Sequence, residues 1–366
     1  MYLGIALANT PLRVLHYKPI MHTDTQDTER ILSDALGTSL LHGEPMARHT
    51  TLKVGGPARW FWAASDVEAL ARVLSLCTVH AIPYLFIGHG SNLLMSDAGY
   101  DGLVIQNRCK GCVVGAETRA ESGVSFGSLF LQTARAGFGG LEWAIGIPGT
   151  VGGALVSNAG AYRGNIGPLV KSLRVFADGT DQTVGPEWME FSYRDSRLRR
   201  SGGGSTVLLS CVLHLTERGD PEEIVARAKL YQAQRRAKQP LSPSAGSFFK
   251  NVVDKALAER VPNLTPGMKD SGVIPAGFLS EACGLKGLRV GGAEVSEKHA
   301  NFLVNAGGAS ASDLRTLACQ VRAAVQARFG VALEEEVLYV GDWTQWSDPE
   351  TASEAEWTNR VDEPSG

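Results

Sequence analysis

The chain has 366 residues, 44% of them hydrophobic and 20% charged, with a formal net charge of -3. That length exceeds one ordinary core and predicts two or three domains, and the composition is that of a soluble globular protein. The charge gives no footprint for nucleic acid or an anionic membrane, and no apolar run approaches the ~20 residues that span a bilayer. The first nineteen residues, MYLGIALANTPLRVLHYKP, carry a short apolar patch broken by Asn9 and Pro11 and no basic n-region, a poor signal peptide. Six cysteines do not form a disulfide framework in a chain of this size. Cys109 and Cys112 make a lone CxxC with no second pair or nearby His to complete a zinc site, so no metal is expected. The thiols read as reduced and the location as cytoplasmic.

In chain order, residues 1–38 are uncommitted except for a possible short helix over Thr28–Ala35. His49–Ser65 alternates apolar residues around Gly55-Gly56-Pro57 and predicts a strand, a turn and a strand. Ser65 with Glu68 reads as a capping box, and Val67, Leu70, Ala71 and Leu74 at helical spacing predict a helix over Ser65–Cys77. Pro83–Ile87 is a short buried strand running into GHGSN (Gly88–Asn92), and Gly102–Gln106 is another. Short strands over Gly111–Gly123 precede a helix Ser125–Ala136 stopped by Gly137. Leu169–Ala177 and Val207–Thr216 read as strands with FSYRDS (Phe191–Ser196) between them. Asp220-Pro221-Glu222-Glu223 starts a helix that runs to about Lys238, since it supplies an N-cap, Pro at N1 and acids in the first turn. Gln239–Ser244 has the Pro/Ser character of a linker. Beyond it, Pro275–Cys283 and Ser312–Phe329 are predicted helices. Ala293–Val295, Phe302–Asn305 and Val331–Val340 are predicted strands, and the acidic, Ser/Thr-rich tail from Trp343 is expected to be disordered.

Glycine carries the strongest signal. Forty-two in 366, about 11%, exceed the usual ~7%. Nine fall within the twenty-nine residues Gly139–Gly167, GGLEWAIGIPGTVGGALVSNAGAYRGNIG. Two readings stand: a cradle of backbone N–H groups for a phosphate or a fused heterocycle, or a structural loop with tight turns. GHGSN follows a strand and invites the first reading again, with Ser91 and Asn92 adding side-chain bonds. It is not GxGxxG, because Leu93 takes the third glycine position, and no Walker A sequence occurs, so a Rossmann or P-loop site is disfavoured. Two glycine segments with polar ends suggest a long ligand held between two subdomains, as a dinucleotide would be.

Other residues can carry chemistry, each beside a plainer alternative. Arg194 with Asp195 reads as a surface pair if taken alone. Arg235, Arg236 and Lys238 complement a helix dipole. Ser247, in SAGSFFKN, lacks the GxSxG setting of a nucleophile, yet a hydroxyl can protonate a strongly basic carbanion. In a strand, Glu334 and Glu336 share one face and Glu335 takes the other. Periodicity does not choose which of the three is buried.

Seven motifs occur in the order HTTLKVGGPA, GHGSNLL, GLEWAIGIPGTVGGALVSNAGAY, FSYRDS, PSAGSFFKN, GLKGLRVGGAEVSEKHANFLVN, LEEEVLYVG. In that order, over residues 45–342, the chain resembles the UDP-N-acetylenolpyruvoylglucosamine reductases, flavoenzymes of peptidoglycan precursor synthesis. The resemblance implies an α+β fold: a vanillyl-alcohol-oxidase-type FAD-binding module of two α/β subdomains plus a C-terminal substrate domain. The expected division is an extension at 1–38, a first FAD subdomain at 39–106 joined by a closing strand at 331–342, a second at 107–238, a substrate domain at 239–330 and a tail at 343–366. It also implies FAD and NADPH, with NADPH entering by the substrate channel, which accounts for the missing dinucleotide fingerprint. NADPH would reduce FAD, and flavin N5 would pass hydride to C3 of the enolpyruvyl ether. A monomer acting on small molecules is expected.

Carried over residue by residue, the resemblance implies Arg194 as the cation that stabilises the enediolate, Ser247 as the proton donor to C2, and Glu336 as an aid at the enediolate carboxylate. FAD would be held by Gly88, His89, Gly90, Ser91 and Asn92, by Gly146, Ile147, Pro148, Gly149, Thr150, Gly152 and Gly153, and by Asn158, Gly160, Ala161, Tyr162 and Arg235. Lys238 and Asn251 match positions that hold the UDP-sugar. His89, Arg163 and Val252 depart from the residues usual at their places. The short interval from Arg194 to Ser247 lacks the Tyr-bearing insertion with which one subclass covers its substrate. Two other functions are weighed against this one. An oxygen-using alcohol oxidase of the same fold would not need Arg194, Ser247 and a strand Glu together with Ser296–Phe302. A non-catalytic flavin or nucleotide binder could lose Arg194 or Ser247.

Overall fold

A computed structural model describes residues 25–201 and 206–347. Helix α1 (Thr25–Leu36) covers the predicted short helix and buries Thr28 and Leu32, one turn apart, against the first module. Strand β1 (Leu41–Pro45), not foreseen, pairs antiparallel with β2 (Pro57–Ala64). Of the strand-turn-strand expected over His49–Ser65, only the second half is a strand. The first half spends its hydrogen bonds elsewhere: Thr51 N–H donates to the Gly90 carbonyl, and Thr50 Oγ1 donates to the Val54 carbonyl. The segment is thereby a brace beneath the GHGSN turn, and its apolar alternation marks burial of Leu52 and Val54 without a ladder.

Helix α2 (Val67–Val79) is capped by Asp66, whose carboxylate accepts from Ala69 N–H at 2.6 Å; Ser65 is not the cap. Glu68 is free of the expected box and pairs with Arg174 at 2.7 Å, tying the first module to the second. Strands β3 (Tyr84–Ile87), β4 (Leu93–Met95) and β5 (Tyr100–Asn107) follow. The first sheet has the order β1-β2-β5-β3, with β2, β5 and β3 parallel. The Gly88–Asn92 turn therefore leaves the carboxyl end of a parallel strand, where open α/β sheets place ligands.

The second module begins with β6 (Cys112–Val113), β7 (Glu117–Glu121) and α3 (Phe126–Arg135). The glycine-rich stretch then holds α4 (Val151–Val156) and the small hairpin β8 (Gly160–Ala161) with β9 (Gly164–Asn165). Strands β10 (Val170–Ala177) and β11 (Thr180–Val184), the one-turn helix α5 (Arg197–Arg200) and β12 (Val207–His214) complete an antiparallel sheet of order β11-β10-β12-β7-β6. Helix α6 (Pro221–Lys238) starts at the Asp220 cap, as the acidic, proline-led sequence predicts. It packs on α3, burying Ile224 and Ala228 with Phe126, Phe130 and Leu155.

The third part contains β13 (Val252–Val253), α7 (Lys255–Arg260), α8 (Pro266–Ser271), β14 (Val273–Ile274) and α9 (Ala276–Ala282). A small sheet of β15 (Arg289–Val290), β16 (Ala293–Val295) and β17 (Leu303–Asn305) packs on α10 (Ala311–Phe329). Leu314, Leu317, Ala318, Val321 and Val325, at helical spacing along α10, are all buried. The closing strand β18 is shorter than expected, Leu338–Val340, and pairs in parallel with β4, returning the chain to the first module. Residues 331–337 form no regular strand, since their one bridge is Phe249 with Glu335.

The tail expected from Trp343 does not begin there. Trp343 is buried and Trp346 half-buried, and the Arg315 guanidinium lies 4.7 Å and 3.6 Å from the two ring centres, a cation–π stack that holds 343–347 on α10. The rest of the tail and residues 1–24 lie outside the described residues. Cys109 and Cys112 are unpaired, and burial pushes the Cys109 thiol up to about 12. Among the described residues no helix is long and apolar enough to cross a membrane.

The β4–β5 turn is fastened to α10 by Asp97, whose carboxylate accepts from Ala311 N–H, Ser312 N–H and Ser312 Oγ at 2.7–2.8 Å. Asp97→Ala is expected to lower stability by about 1 kcal/mol, the usual cost of removing such a cap. Urea unfolding read by tryptophan fluorescence checks this, and an unchanged midpoint would mean that the fastening contributes nothing.

Candidate active site

Two cavities meet where the first and second modules adjoin, one of them walled as well by Ser244–Ser247, Phe302 and Glu336 of the later chain. The smaller, of about 230 Å³, runs past Gly88, His89, Gly90, Ser91 and Asn92 on one side and Thr150, Gly152 and Gly153 on the other. The larger, of about 370 Å³, is walled by Gly146, Ile147, Pro148, Gly149, Gly160 and Ala161, with Arg194, Arg235, Ser247 and Glu336 opening onto it. Both are lined by Ser91, Asn92, Thr150, Gly153 and Ser157, so they form one continuous channel, an arm and a chamber. The two glycine segments of the sequence thus face each other, as a long ligand between two subdomains requires.

Close backbone approach explains the glycines best at two places. Gly90 has φ +63°, and a Cβ there would run into the His49 carbonyl of the brace segment. Gly149 has φ +124°, and its Cβ would lie 2.9 Å from Ser91 Oγ, on the line where the two glycine segments touch. Gly149→Ala is expected to strain the loop and push the segments apart, weakening binding of the channel's ligand by about tenfold or more. Flavin release followed by fluorescence measures this; unchanged affinity would place the ligand elsewhere.

Arg194 stands at the tip of a two-residue turn closed by the Ser192–Asp195 bridge, with φ +53°, a left-handed conformation that an L-residue adopts only under constraint. Asn158 supplies part of that constraint: its Nδ2 donates to the Ser192 carbonyl and its Oδ1 accepts from Gly167 N–H. Asn158 therefore braces the arginine turn and does not line the channel. The Arg194 Nε lies 3.7 Å from Glu336 Oε1. Burial raises the Glu336 carboxyl above the ordinary carboxylate range, against the pull of Arg194, Arg199 and Lys250.

Although 331–337 is not a regular strand, the alternation of the three acids survives. Glu334 points to Lys250 at 2.7 Å, Glu335 turns into the third part against Arg322, and Glu336 faces the chamber. Ser247 is half-buried at the start of the segment that pairs with these acids: Glu336 N–H donates to the Phe248 carbonyl and Lys250 N–H to the Glu334 carbonyl. Asn301, buried, locks the same segment by accepting from Phe249 N–H and donating to the Phe249 carbonyl, both at 2.9 Å. Sequence reasoning missed Asn301 as a clamp; its place inside the SEKHANF segment was the available signal.

Arg235 extends along the chamber wall and donates to the Trp143 carbonyl at 3.2 Å. Its guanidinium lies 5.3 Å from the ring centre of Tyr162, which stacks on Tyr231 at 4.2 Å. Tyr162, an exposed ring, packs against Arg235 beside the chamber wall. Burial lowers the Arg235 pKa from its usual value. Lys238, the exposed last residue of α6, is also off the channel lining, as is Asn251, which bonds Tyr193 Oη at 3.3 Å and Ala276 N–H at 3.3 Å. Burial lowers the His89 pKa, helped by Lys110 and Arg108.

Residues 58–185 match the model of an FAD binding domain, and residues 237–340 match that of the UDP-N-acetylenolpyruvoylglucosamine reductase C-terminal domain. UDP-N-acetylenolpyruvoylglucosamine reductase 2 of Symbiobacterium thermophilum is 40% identical over 303 residues, 81% of this chain and 91% of that protein. The chain belongs to the UDP-N-acetylenolpyruvoylglucosamine reductase family. The Geobacter metallireducens reductase is likewise 40% identical, over 83% of this chain and 94% of its own. The crystal structure of the Thermus caldophilus reductase superposes with a TM-score of 0.65 at 34% identity, covering 82% of this chain and 98% of that one.

The reductase is therefore an FAD-dependent oxidoreductase with an α+β fold. The channel fits the cofactor: glycine main chain at Gly88, Gly90, Gly152 and Gly153 suits a diphosphate, the apolar side chains of the same arm suit fused rings, and the chamber beside them leaves room for a substrate. Among the described residues no cluster of His, Cys, Asp or Glu is placed to hold a metal ion.

Proposed function

We propose that this reductase converts UDP-N-acetylglucosamine enolpyruvate to UDP-N-acetylmuramate with Arg194, Ser247 and Glu336 acting on the substrate half of the reaction. The observation that carries the assignment is their convergence: three residues from three distant segments open onto one chamber, at the end of the cofactor channel. The glycine segments would hold FAD, which would supply the hydride chemistry between NADPH and C3 of the enolpyruvyl group.

The negative charge that then develops at C2 and the substrate carboxylate is met by the Arg194 guanidinium, fixed by its turn in a partly desolvated cavity where a preorganised cation is most effective. Ser247 gives its hydroxyl proton to C2, a transfer that a weak acid can make because the acceptor is strongly basic. Glu336, whose carboxyl burial raises above the ordinary carboxylate range, donates in its acid form to the substrate carboxylate and leaves the positive charge of Arg194 uncompensated. The glycine segments orient the cofactor and move no proton. Arg235 stands at the flavin end, Lys238 and Asn251 serve the UDP-sugar from outside the chamber wall, and the chain works as a cytoplasmic monomer. Its units are a first FAD subdomain at 39–106 with the closing strand, a second at 107–238 and a substrate domain at 239–330.

NADPH consumption with and without UDP-N-acetylglucosamine enolpyruvate tests the reading. Substrate-dependent oxidation with stoichiometric UDP-N-acetylmuramate is expected, and substrate-independent oxidation alone would contradict it. The pH profile adds a check. A raised Glu336 pKa keeps the acid form present below that value and loses it as pH rises, so turnover should fall along an alkaline limb set by Glu336. Glu336→Gln, which stays neutral, should remove that limb.

A further inference from the structure

Glu336 is gripped by its main chain as well as through its carboxyl. Its N–H donates to the Phe248 carbonyl at 2.7 Å, and its carbonyl accepts from Asn92 Nδ2 at 3.0 Å and from an Arg199 guanidinium nitrogen at 2.7 Å. Arg199 is 3% exposed, one of the few buried charged side chains of the described residues, and it lines the arm of the channel. It sits on the one-turn helix α5, whose cap Ser196 is itself fully buried: its Oγ accepts from Arg199 N–H at 3.2 Å and donates to the Val156 carbonyl at 2.6 Å. The turn bearing Arg194 immediately precedes that cap. One short segment, Arg194–Arg199, therefore reaches Glu336 twice, with Arg194 at its carboxylate and Arg199 at its carbonyl.

Burying a guanidinium is costly, and an apolar side chain of similar length would fill the same space with less desolvation. One guanidinium nitrogen of Arg199 donates to the Glu336 carbonyl, and its charge bears on the Glu336 carboxyl. The cations that face this residue are Arg194 on the turn, Arg199 on α5 and Lys250 on the paired segment, the last already engaged with Glu334. The chain around Glu336 forms no regular strand and is held by its short pairing with Phe248–Lys250.

We propose that Arg199 is a positioning residue for the reductase: by holding the Glu336 carbonyl from the cofactor side, it turns the Glu336 carboxyl into the chamber beside Arg194. This rests on the reading of Glu336 as acting on the substrate. Arg199 bonds the Glu336 carbonyl and not its carboxyl, so its loss should alter the setting of Glu336.

The test uses the oxidised holoenzyme and three variants, Arg199→Met, Arg199→Lys and Glu336→Gln. The Glu336 carboxyl is followed against pH by its infrared band, assigned as the band missing in Glu336→Gln. In Arg199→Met the band should titrate at higher pH than in wild type, because a cation is gone. The value of kcat, measured at saturating FAD because Arg199 lines the cofactor arm, should fall by about tenfold or more, as misplacement of a reacting group does. Arg199→Lys should bring the titration back toward wild type and restore only part of kcat, since an ammonium keeps the charge and loses the planar fork. An unmoved titration in Arg199→Met with a lowered melting temperature would reduce Arg199 to packing and overturn the proposal. If Arg199→Met does not fold, Arg199→Lys decides: a titration and kcat both equal to wild type would overturn it. A Glu336→Gln enzyme with wild-type turnover would sink the role of Glu336, while a shifted infrared titration would still stand as a property of Arg199.

Discussion

Arg194→Met is expected to lower kcat with UDP-N-acetylglucosamine enolpyruvate by a factor on the order of 10² to 10³, the range seen when one preorganised stabiliser of a developing oxyanion is removed. The structure already commits main-chain strain to this residue: φ is +53°, and the turn is closed by paired Ser192 and Asp195 bonds and braced by Asn158. Such a conformation is maintained where the surrounding structure over-determines it, and here it sets the guanidinium beside Glu336. Arg194→Lys should recover little, because an ammonium cannot present two parallel donors to a carboxylate. Steady-state kinetics at saturating substrate decide the matter. A rise in KM with kcat unchanged would make Arg194 a binding residue that stabilises ground and transition states alike.

Ser247→Ala is expected to slow turnover by a factor on the order of 10² or more. The change removes one hydroxyl and little else, since the adjoining Phe248 and Phe249 are buried and their main chain is held by Asn301 and by residues 334–336. The melting temperature should therefore stay close to wild type, and the loss should appear in kcat. A water in the space left by the hydroxyl can carry a residual rate, which keeps the expected effect below total loss.

Much of the fold was legible because its helices announce themselves locally. The Asp220-Pro221 start of α6, the apolar stripe of α10 and the Gly330 stop each act within one or two turns, so the residues present dictate the element. What the sequence did not reveal depends on partners far along the chain. Apolar alternation over His49–Val54 looks like a strand, but the donors of that segment find the Gly90 carbonyl, and no pattern in the segment itself foretells this. Strand β1 is mostly exposed and carries Gly43 and Pro45, poor strand formers, and it is ordered by pairing with β2. Ser65 lost the capping position to Asp66, whose carboxylate is the stronger acceptor one residue nearer the helix.

The site divides in the same way. The identities of Arg194, Ser247 and Glu336 came from motif order, and the glycine segments from composition and motif order together; their meeting in one chamber needed the tertiary structure. Asn158 and Tyr162 sit in the glycine stretch and were read with it as cofactor contacts. In the structure Asn158 bonds to the Arg194 turn and Tyr162 lies against Arg235. Arg199 and Asn301 were not singled out, because a buried polar residue is recognised by its partners and those partners lie 137 and 52 positions away.

The division of labour between channel and chamber is tested most directly by anaerobic stopped-flow on Ser247→Ala, with the two half-reactions followed separately by flavin absorbance. Bleaching by NADPH should proceed within a factor of about two of the wild-type rate, and reoxidation of the reduced enzyme by UDP-N-acetylglucosamine enolpyruvate should be slower by about 10² or more. Equal loss in both half-reactions, or reoxidation at the wild-type rate, would contradict the assignment of Ser247 as the proton donor.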